Sequence, residues 1–252
     1  YTLPTGDWGK KGAATGFPEA EWASTMKRTL RMADVIEDQK AILKKHDLPA
    51  DAFGLYVDEW GMWVDQDEAT DPPALYQQGS IRDAIVAGLN LNLFHAHADV
   101  VKMTNIAQMV NVLQAMILTD GPDMVLTPTY HVFDMYQPFM SAEALEMNLQ
   151  SPDYVFGDVT VPAISASAAR TEDSRIVLAL VNASAHDDHL VDASAFGASK
   201  ATGRILQGEE MDSHNTFDGP DRVQPAPYIV DGTADDLVLS IPARSVVVVT
   251  LD

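Results

Sequence analysis

The chain has 252 residues, no cysteine and a formal net charge of −21 at pH 7. Its length allows one large domain or two smaller ones, and its 46% hydrophobic content is typical of a folded globular protein. The lack of cysteine excludes disulfides, thiolate metal sites and a cysteine nucleophile, while the acidic charge argues against nucleic acid and anionic membranes as partners. A neutral substrate such as a sugar is compatible with this charge, and so is a surface that is merely soluble.

The first half of the sequence alternates predicted helices with short predicted strands. Apolar residues at three- and four-residue steps predict a helix over 18–43, and a compact apolar run predicts a strand over 53–60. A second helix is predicted from the Asp71-Pro72-Pro73 opening to about Gly88.

Two more elements complete this half. Strict alternation of apolar and polar residues predicts a strand over 89–95, and helical spacing predicts a third helix over 103–118, ended by Gly121-Pro122. Successive strand–helix units imply a parallel sheet or part of a barrel, because parallel strands need crossover helices. Two or three such units are too few to close an eight-stranded barrel.

The second half consists of short β-rich runs separated by turn residues, about ten residues apart, which predicts an antiparallel sandwich. The runs cover residues 158–164, 176–182, 201–206, 228–230, 237–241 and 245–251. We predict a barrel portion over 1–120 and a β-sandwich over 121–252.

The strongest candidate for chemistry is the carboxylate pair Asp58-Glu59, which ends the first predicted strand. Since side chains alternate along a strand, the two should point opposite ways, so that one projects into a barrel mouth and the other braces the loop. Trp60 and Trp63 follow, and they suit either a sugar-stacking wall or a packed rim. The alternative is a loop-capping carboxylate beside core tryptophans.

Two other residue groups receive weaker interpretations. His95 and His97 with Asp99 could bind a metal, but histidines that hold a carboxylate by hydrogen bonds explain the pattern better, so no metal and no cofactor is predicted. Gln108, near the start of the predicted third helix, could reach the barrel mouth, with a surface amide as the alternative.

Four motifs together resemble a known family. Residues 57–63 (VDEWGMW), 105–115 (NIAQMVNVLQA), 126–136 (LTPTYHVFDMY) and 214–218 (HNTFD) resemble the α-L-arabinofuranosidases of glycoside hydrolase family 51. The opening residues 1–8 resemble the segment after a barrel strand of that family. The resemblance implies an α/β plus all-β fold, in which the C-terminal part of a (β/α)8 TIM barrel, about strands 7–8 with helices 6–8, precedes a jelly-roll-like antiparallel β-sandwich.

The resemblance also implies roles for individual residues. Glu59 matches the nucleophile of a retaining hydrolase that releases terminal arabinofuranosyl residues, and Gln108 matches a residue that holds the arabinofuranose ring. Tyr1 matches a tyrosine that contacts the nucleophile and the sugar, and Trp60 is assigned to substrate contact. The acid/base glutamate of the family lies in an Asn-Glu motif, which this sequence lacks.

We therefore expect the C-terminal half of such an enzyme, inactive without the N-terminal half of the barrel or another copy, and forming a homo-oligomer. The expected substrates are arabinofuranoside-containing oligosaccharides or polysaccharides. The alternatives are another retaining glycosidase, such as a β-xylosidase or endoglucanase, and a non-catalytic carbohydrate-binding or structural fragment. The start of the chain reads as neither a signal peptide nor a membrane span. The compartment stays open, with a slight preference for the cytoplasm.

Overall fold

The structure is a computed structural model that describes residues 1–49, 52–66 and 74–252. In these residues the α-helices are α1 Glu19–Lys45, α2 Ile81–Ala96 and α3 Pro128–Met135. The strands are β1 Leu55–Trp60, β2 Val101–Ile106, β3 Ile117–Asp120, β4 Asp123–Leu126, β5 Glu143–Leu145, β6 Asp153–Phe156, β7 Val159–Pro162, β8 Ile164–Arg170, β9 Ile176–Asn182, β10 His189–Asp192, β11 Lys200–Gln207, β12 Ala226–Asp231, β13 Val238–Ile241 and β14 Ser245–Leu251.

The first half contains the predicted parallel strand–helix–strand unit. β1 pairs in parallel with β2, and α2 makes the connection between them. On the other side of β1, Thr2 forms a parallel bridge with Met62. Three parallel segments therefore lie side by side, in the order N-terminal segment, β1 and β2. The helix predicted over 18–43 and the strand predicted over 53–60 are confirmed as α1 and β1.

The strand predicted over 89–95 is wrong, because these residues continue α2. This helix is buried on nearly all sides, so it has no single apolar stripe from which helical periodicity could be read. Asn90 and Asn92, which produce the apparent alternation, are both buried. The Asn90 side chain donates to the Val86 carbonyl at 3.1 Å, and the Asn92 side chain donates to the Ser165 hydroxyl at 3.1 Å. The predicted start of this helix at Asp71-Pro72-Pro73 lies outside the described residues.

The helix predicted over 103–118 is also wrong. Residues 101–106 form β2, a loop follows, and β3 pairs with β4 in an antiparallel hairpin. Asn111 and Leu113 adopt left-handed backbone angles, with φ of +58° and +54°, which an α-helix cannot contain. The apolar residues that mimic helical spacing are divided between a parallel strand and a hairpin.

The second half is built on a six-stranded antiparallel sheet in the order β12-β11-β14-β9-β8-β5. Successive side chains of β9 pack on opposite faces, since Val177 and Ala179 contact the core shared with the helices, whereas Leu178 and Leu180 belong to the core that includes β13. The paired strands β10 and β13 cover this second face. The predicted sandwich is thereby confirmed. Of its strands, β8 was predicted only in part and β10 was not predicted.

The two halves share a core. The Trp22 indole of α1 donates to the Ala183 carbonyl at 2.9 Å, and Gly88 of α2 lies directly against Val181 of β9. The hairpin β3–β4 pairs residues on both sides of position 120. The boundary between the barrel portion and the sandwich, predicted at this position, stays a prediction. Within the described part of the chain, no helix combines the length and apolarity required to cross a bilayer.

Candidate functional site

Glu59 lies at the C-terminal end of the parallel strand β1, beside an irregularity in its pairing. Val57 pairs with Thr104 and Trp60 with Ile106, so three steps along β1 match two steps along β2. The extra residue lets both Val57 and Trp60 pack on the helix side, which a regular strand would not allow. Asp58 and Glu59 are both exposed. The strict alternation expected for this carboxylate pair is therefore not observed.

Tyr1 contacts Glu59 directly. The N-terminal segment is aligned by two backbone hydrogen bonds, from the Thr2 amide to the Gly61 carbonyl at 2.8 Å and from the Trp63 amide to the Thr2 carbonyl at 3.0 Å. This alignment brings the Tyr1 phenol to 2.8 Å from Glu59 Oε2, to which it donates. Partial burial, followed by the hydrogen bond and charge of Glu59, raises the pKa of Tyr1 to about 12. The phenol therefore stays protonated and remains a donor at neutral pH.

An aromatic row leads outward from this pair. The Trp63 ring lies edge-on to Tyr1, with ring centroids 5.2 Å apart, and the Trp8 ring lies edge-on to Trp63 at 5.5 Å. Trp8 is 61% exposed and forms the outer end of the row. The loop that carries Trp8 is fixed to the segment after β1, because the Asp65 carboxylate accepts the Lys11 and Gly12 amides at 2.9 and 3.1 Å.

Trp60 does not belong to this row, and its assignment to substrate contact is wrong. Only 1% of the residue is exposed, since its ring is packed against Phe94 and Phe133 in the core between β1 and the helices. The bulge at Asp58-Glu59 explains the difference: it turns Trp60 inward, while the two carboxylates before it face outward.

Gln108 lies in the loop after β2 and is exposed, so its predicted placement on a helix is wrong. Its position at the strand end is nevertheless fixed, because the amide of the preceding residue, Ala107, donates to the Trp60 carbonyl at 2.9 Å. The structure thus brings Tyr1 into contact with Glu59 and places the Gln108 backbone at the end of the neighbouring strand.

Two buried glutamines behind these strand ends, Gln77 and Gln114, were missed by sequence reasoning. Both are at most 1% exposed and bond to the segment after Glu59. Each lies in a stretch without regular secondary structure, where hydrophobic periodicity gives no signal for a buried amide. The one available signal is the position of Gln114 inside the motif 105–115.

The histidines at the C-terminal end of α2, His95 and His97, do not converge on a common point. His95 Nδ1 lies 2.9 Å from the Ser167 hydroxyl, whereas His97 Nδ1 lies 3.4 Å from a Glu37 carboxylate oxygen on α1. Burial lowers the pKa of His95 to about 4, so its ring is neutral at physiological pH. In the described part of the chain no group of three potential ligands is placed to hold a metal ion.

Comparison with known proteins places these residues in context. Residues 58–245 match the family model described as the α-L-arabinofuranosidase C-terminal domain. The whole chain is 39% identical to the "Intracellular exo-alpha-L-arabinofuranosidase" of Bacteroides ovatus and covers 49% of that protein. It also matches the crystal structure of the GH51 arabinofuranosidase from Xanthomonas axonopodis pv. citri, with 43% identity, a TM-score of 0.94, and coverage of 100% of this chain and 51% of that one.

A more distant solved structure has the same fold. The α-L-arabinofuranosidase from Thermotoga maritima, solved as an arabinose complex, is 21% identical with a TM-score of 0.70, over 98% of this chain and 50% of that one. The chain therefore spans about half the length of the relatives it matches. These likenesses confirm the predicted fold class, in which a parallel strand–helix part precedes a β-sandwich.

Proposed function

We propose that this chain, which belongs to the α-L-arabinofuranosidases of glycoside hydrolase family 51, carries the nucleophile half of a retaining arabinofuranosidase site. The observation that supports this function best is the 2.8 Å hydrogen bond from the Tyr1 phenol to Glu59 at the end of a parallel strand. Active sites of parallel barrels lie at the C-terminal ends of their strands. The substrate is a terminal, non-reducing α-L-arabinofuranosyl residue of an oligosaccharide or polysaccharide.

The proposed reaction is a double displacement. A Glu59 carboxylate oxygen attacks the anomeric carbon while the bond to the leaving oxygen breaks, which gives a glycosyl-enzyme ester. The Tyr1 phenol holds Oε2, so the attack is assigned to Oε1. Water then cleaves the ester, and the carboxylate is released.

A retaining site needs a second carboxyl group about 5–5.5 Å from the first, which protonates the leaving oxygen and later deprotonates the water. The family motif for that group, Asn-Glu, does not occur in this sequence. The acid/base is therefore assigned to a part of the barrel outside this chain. Gln108 is assigned to the arabinofuranose ring.

The face of β1 and β2 that lies away from the helices supports this division of the site. Tyr56 and Met103 are register partners on the two strands and are 60% and 45% exposed. Large apolar side chains paired on a parallel sheet are normally covered, because such sheets are buried on both faces. We assign the covering surface to the N-terminal half of the barrel, with a second copy of this chain as the alternative.

The test uses a reconstituted enzyme, in which the N-terminal half of the Xanthomonas relative is joined to Tyr1 of this chain. We expect the chain alone to be inert on 4-nitrophenyl α-L-arabinofuranoside and the reconstituted enzyme to hydrolyse it with retention, as followed by NMR of the first-formed sugar. Glu59→Gln should abolish turnover without lowering the melting temperature, whereas Asp58→Asn, at the neighbouring exposed carboxylate, should keep far more activity.

Two outcomes would overturn the proposal. One is a folded reconstituted enzyme whose activity survives Glu59→Gln, and the other is a folded reconstituted enzyme that hydrolyses none of the aryl arabinofuranosides. A preference for aryl β-xylosides or β-glucosides over the arabinofuranoside would instead support another retaining glycosidase.

A further inference from the structure

The segment that follows Glu59 is held by two buried glutamine side chains. The Met62 amide donates to Gln114 Oε1 at 2.7 Å, and the Met62 carbonyl accepts from Gln77 Nε2 at 3.2 Å. Gln77 Oε1 also accepts the Val64 amide at 3.0 Å. Both backbone groups of Met62 are thus bonded to side-chain amides, at a residue that is itself fully buried and lies three positions after Glu59.

The far end of Gln114 connects this segment to other parts of the barrel. Its Nε2 donates to the Asp83 carbonyl in the first turn of α2 at 2.7 Å and to the Thr129 hydroxyl of α3 at 3.1 Å. Its backbone amide donates to the carbonyl of Ala107 at 3.1 Å, and Ala107 directly precedes Gln108. One residue therefore joins the strand end that carries Glu59 to the strand end that carries Gln108.

Both the backbone conformation and the tight packing at this junction favour glycine at position 61. Gly61 has a φ of +140°, and a Cβ built on it would lie 3.1 Å from Gln114 Oε1 and 3.3 Å from the Ala107 carbonyl oxygen. Glycine is therefore required both by the backbone conformation and by the approach of Gln114. The amide is suited to this site since its oxygen faces an amide N–H while its nitrogen faces two acceptors, a pattern that a carboxylate or an apolar side chain cannot satisfy.

We propose that Gln114 is a positioning residue that fixes Glu59 and Gln108 relative to each other, with Gln77 as a second clamp on the Glu59 side alone. The proposal rests on the roles assigned to Glu59 and Gln108 under the proposed function. Gln114 acts through the backbone of residues 61, 62 and 107, and it contacts no reacting atom. A displacement of about 1 Å in a catalytic group can lower a rate about 100-fold. Gln114 therefore affects turnover, because its side chain holds the Glu59 strand end and its backbone amide holds the Gln108 strand end.

The kinetic test uses Gln114→Met and Gln77→Met in the reconstituted enzyme. We expect Gln114→Met to lower kcat by about 10- to 100-fold, because the Met62 amide loses its partner. KM should rise as well, because the backbone of residue 114, which bonds the Ala107 carbonyl, loses its side-chain anchors on Asp83 and Thr129. Gln77→Met should lower kcat with little change in KM, since the Gln77 side chain, among the described residues, bonds the segment after Glu59 and no other part of the site. If Gln114→Met shows no cooperative thermal transition, and is therefore not folded, the kinetic test uses Gln77→Met alone.

The matched control is Asn182→Leu in the sandwich. Asn182 is also a fully buried amide with three hydrogen bonds, to the Asp187 and Ile241 carbonyls and the Ser184 amide, each at 2.9 Å. It should lower the melting temperature about as much as Gln114→Met and leave kcat and KM unchanged. Equal kcat losses in the control and the glutamine variants would reduce the effect to general destabilisation and overturn the proposal.

A second measurement uses the 252-residue chain itself and does not depend on activity. Gln114→Met should speed hydrogen exchange at the Met62 amide relative to the amides of β9, whereas Asn182→Leu should not. Unchanged exchange at Met62 would overturn the positioning role even if the enzyme is active. Faster exchange, combined with a folded but inactive reconstituted wild-type enzyme, would retain the clamp and overturn the proposed function instead.

Discussion

His95 makes the junction between α2 and the sandwich sensitive to acid. Its ring stacks on Phe139, with centroids 4.5 Å apart, and its Nδ1 bonds to the Ser167 hydroxyl of β8. Burial lowers its pKa from 6.5 to about 4. The unfolded chain therefore binds a proton below about pH 6.5, while the folded protein binds it only below about pH 4. The free energy of unfolding should fall as pH decreases through this window and stop falling, for this group, below it.

The size of the effect follows from the same two values. The difference between a pKa of about 4 in the folded protein and 6.5 in the unfolded chain corresponds to about 3 kcal/mol of stability, at 1.36 kcal/mol for each pKa unit. Because the ring is partly exposed, the expected loss of stability is about 2 kcal/mol. Three other ionisable side chains line the cleft beside His95, namely Lys40, Asp99 and Glu146. Comparison with a variant that lacks only the imidazole cancels their contribution.

The assay is urea unfolding followed by tryptophan fluorescence, between about pH 7 and pH 4. His95→Asn keeps a polar partner for Ser167 without a group that titrates in this range, so its loss of stability on acidification should be smaller than that of the wild type by about 2 kcal/mol. Ser167→Ala should lower stability by about 1 kcal/mol at every pH and keep the wild-type slope. Parallel pH profiles for the wild type and His95→Asn would refute the reasoning.

Three further predictions concern the site and the core. Tyr1→Phe in the reconstituted enzyme removes the phenol that donates to the Glu59 carboxylate, a hydrogen bond worth about 1.5–3 kcal/mol. Steady-state kinetics should therefore show a fall in kcat/KM of about 10- to 100-fold. An unchanged kcat/KM would contradict the assigned contact. Trp8→Ala should raise KM for arabino-oligosaccharides and not for an aryl arabinofuranoside, because an exposed ring at the end of the aromatic row is placed to contact the leaving sugar; equal effects on both substrates would exclude this. Gly88→Ala should lower the melting temperature, since the added Cβ would lie 2.8 Å from Val181. The overpacking cost of about 1–3 kcal/mol outweighs the gain in helix propensity of about 1 kcal/mol. An unchanged or raised melting temperature would contradict this close packing.

Of the two long helices, α1, which has a solvent-facing side, could be predicted from the sequence, whereas α2, which is buried on nearly all sides, could not. The helix α1 has a buried stripe that includes Trp22 and Met26, and its predicted span of 18–43 agrees with the observed Glu19–Lys45. In α2 the buried asparagines obscure the helical period, because their side-chain N–H groups donate to the Val86 carbonyl and to Ser165 of the sandwich rather than to water. Periodicity measures which side chains avoid water, so it gives little signal in a helix where nearly all of them do.

The residues of the candidate site that lie in the family motifs could be predicted from the sequence. Glu59 was assigned from the motif alone, and its contact with Tyr1 was implied by the same resemblance and is present in the structure. The exposure of both carboxylates depends on a bulge that arises from pairing with β2, which no local pattern encodes. Trp60 was misassigned for the same reason, since the bulge decides on which face of the strand it lies.

The sandwich and the site are linked through α2, the helix that joins the strand of Glu59 to the strand of Gln108. Its first turn holds Gln114 through the Asp83 carbonyl, and its last turns bond to β8 through Asn92 and His95. A helix buried on nearly all sides needs cover from both the strands and the sandwich, because it would otherwise expose apolar surface and leave buried amides unpaired. The sandwich sheet therefore completes the core around the strand–helix–strand unit that positions Glu59. Changes on its α2-facing side should reach the site through this helix, whereas changes on the side covered by β10 and β13 should alter stability alone.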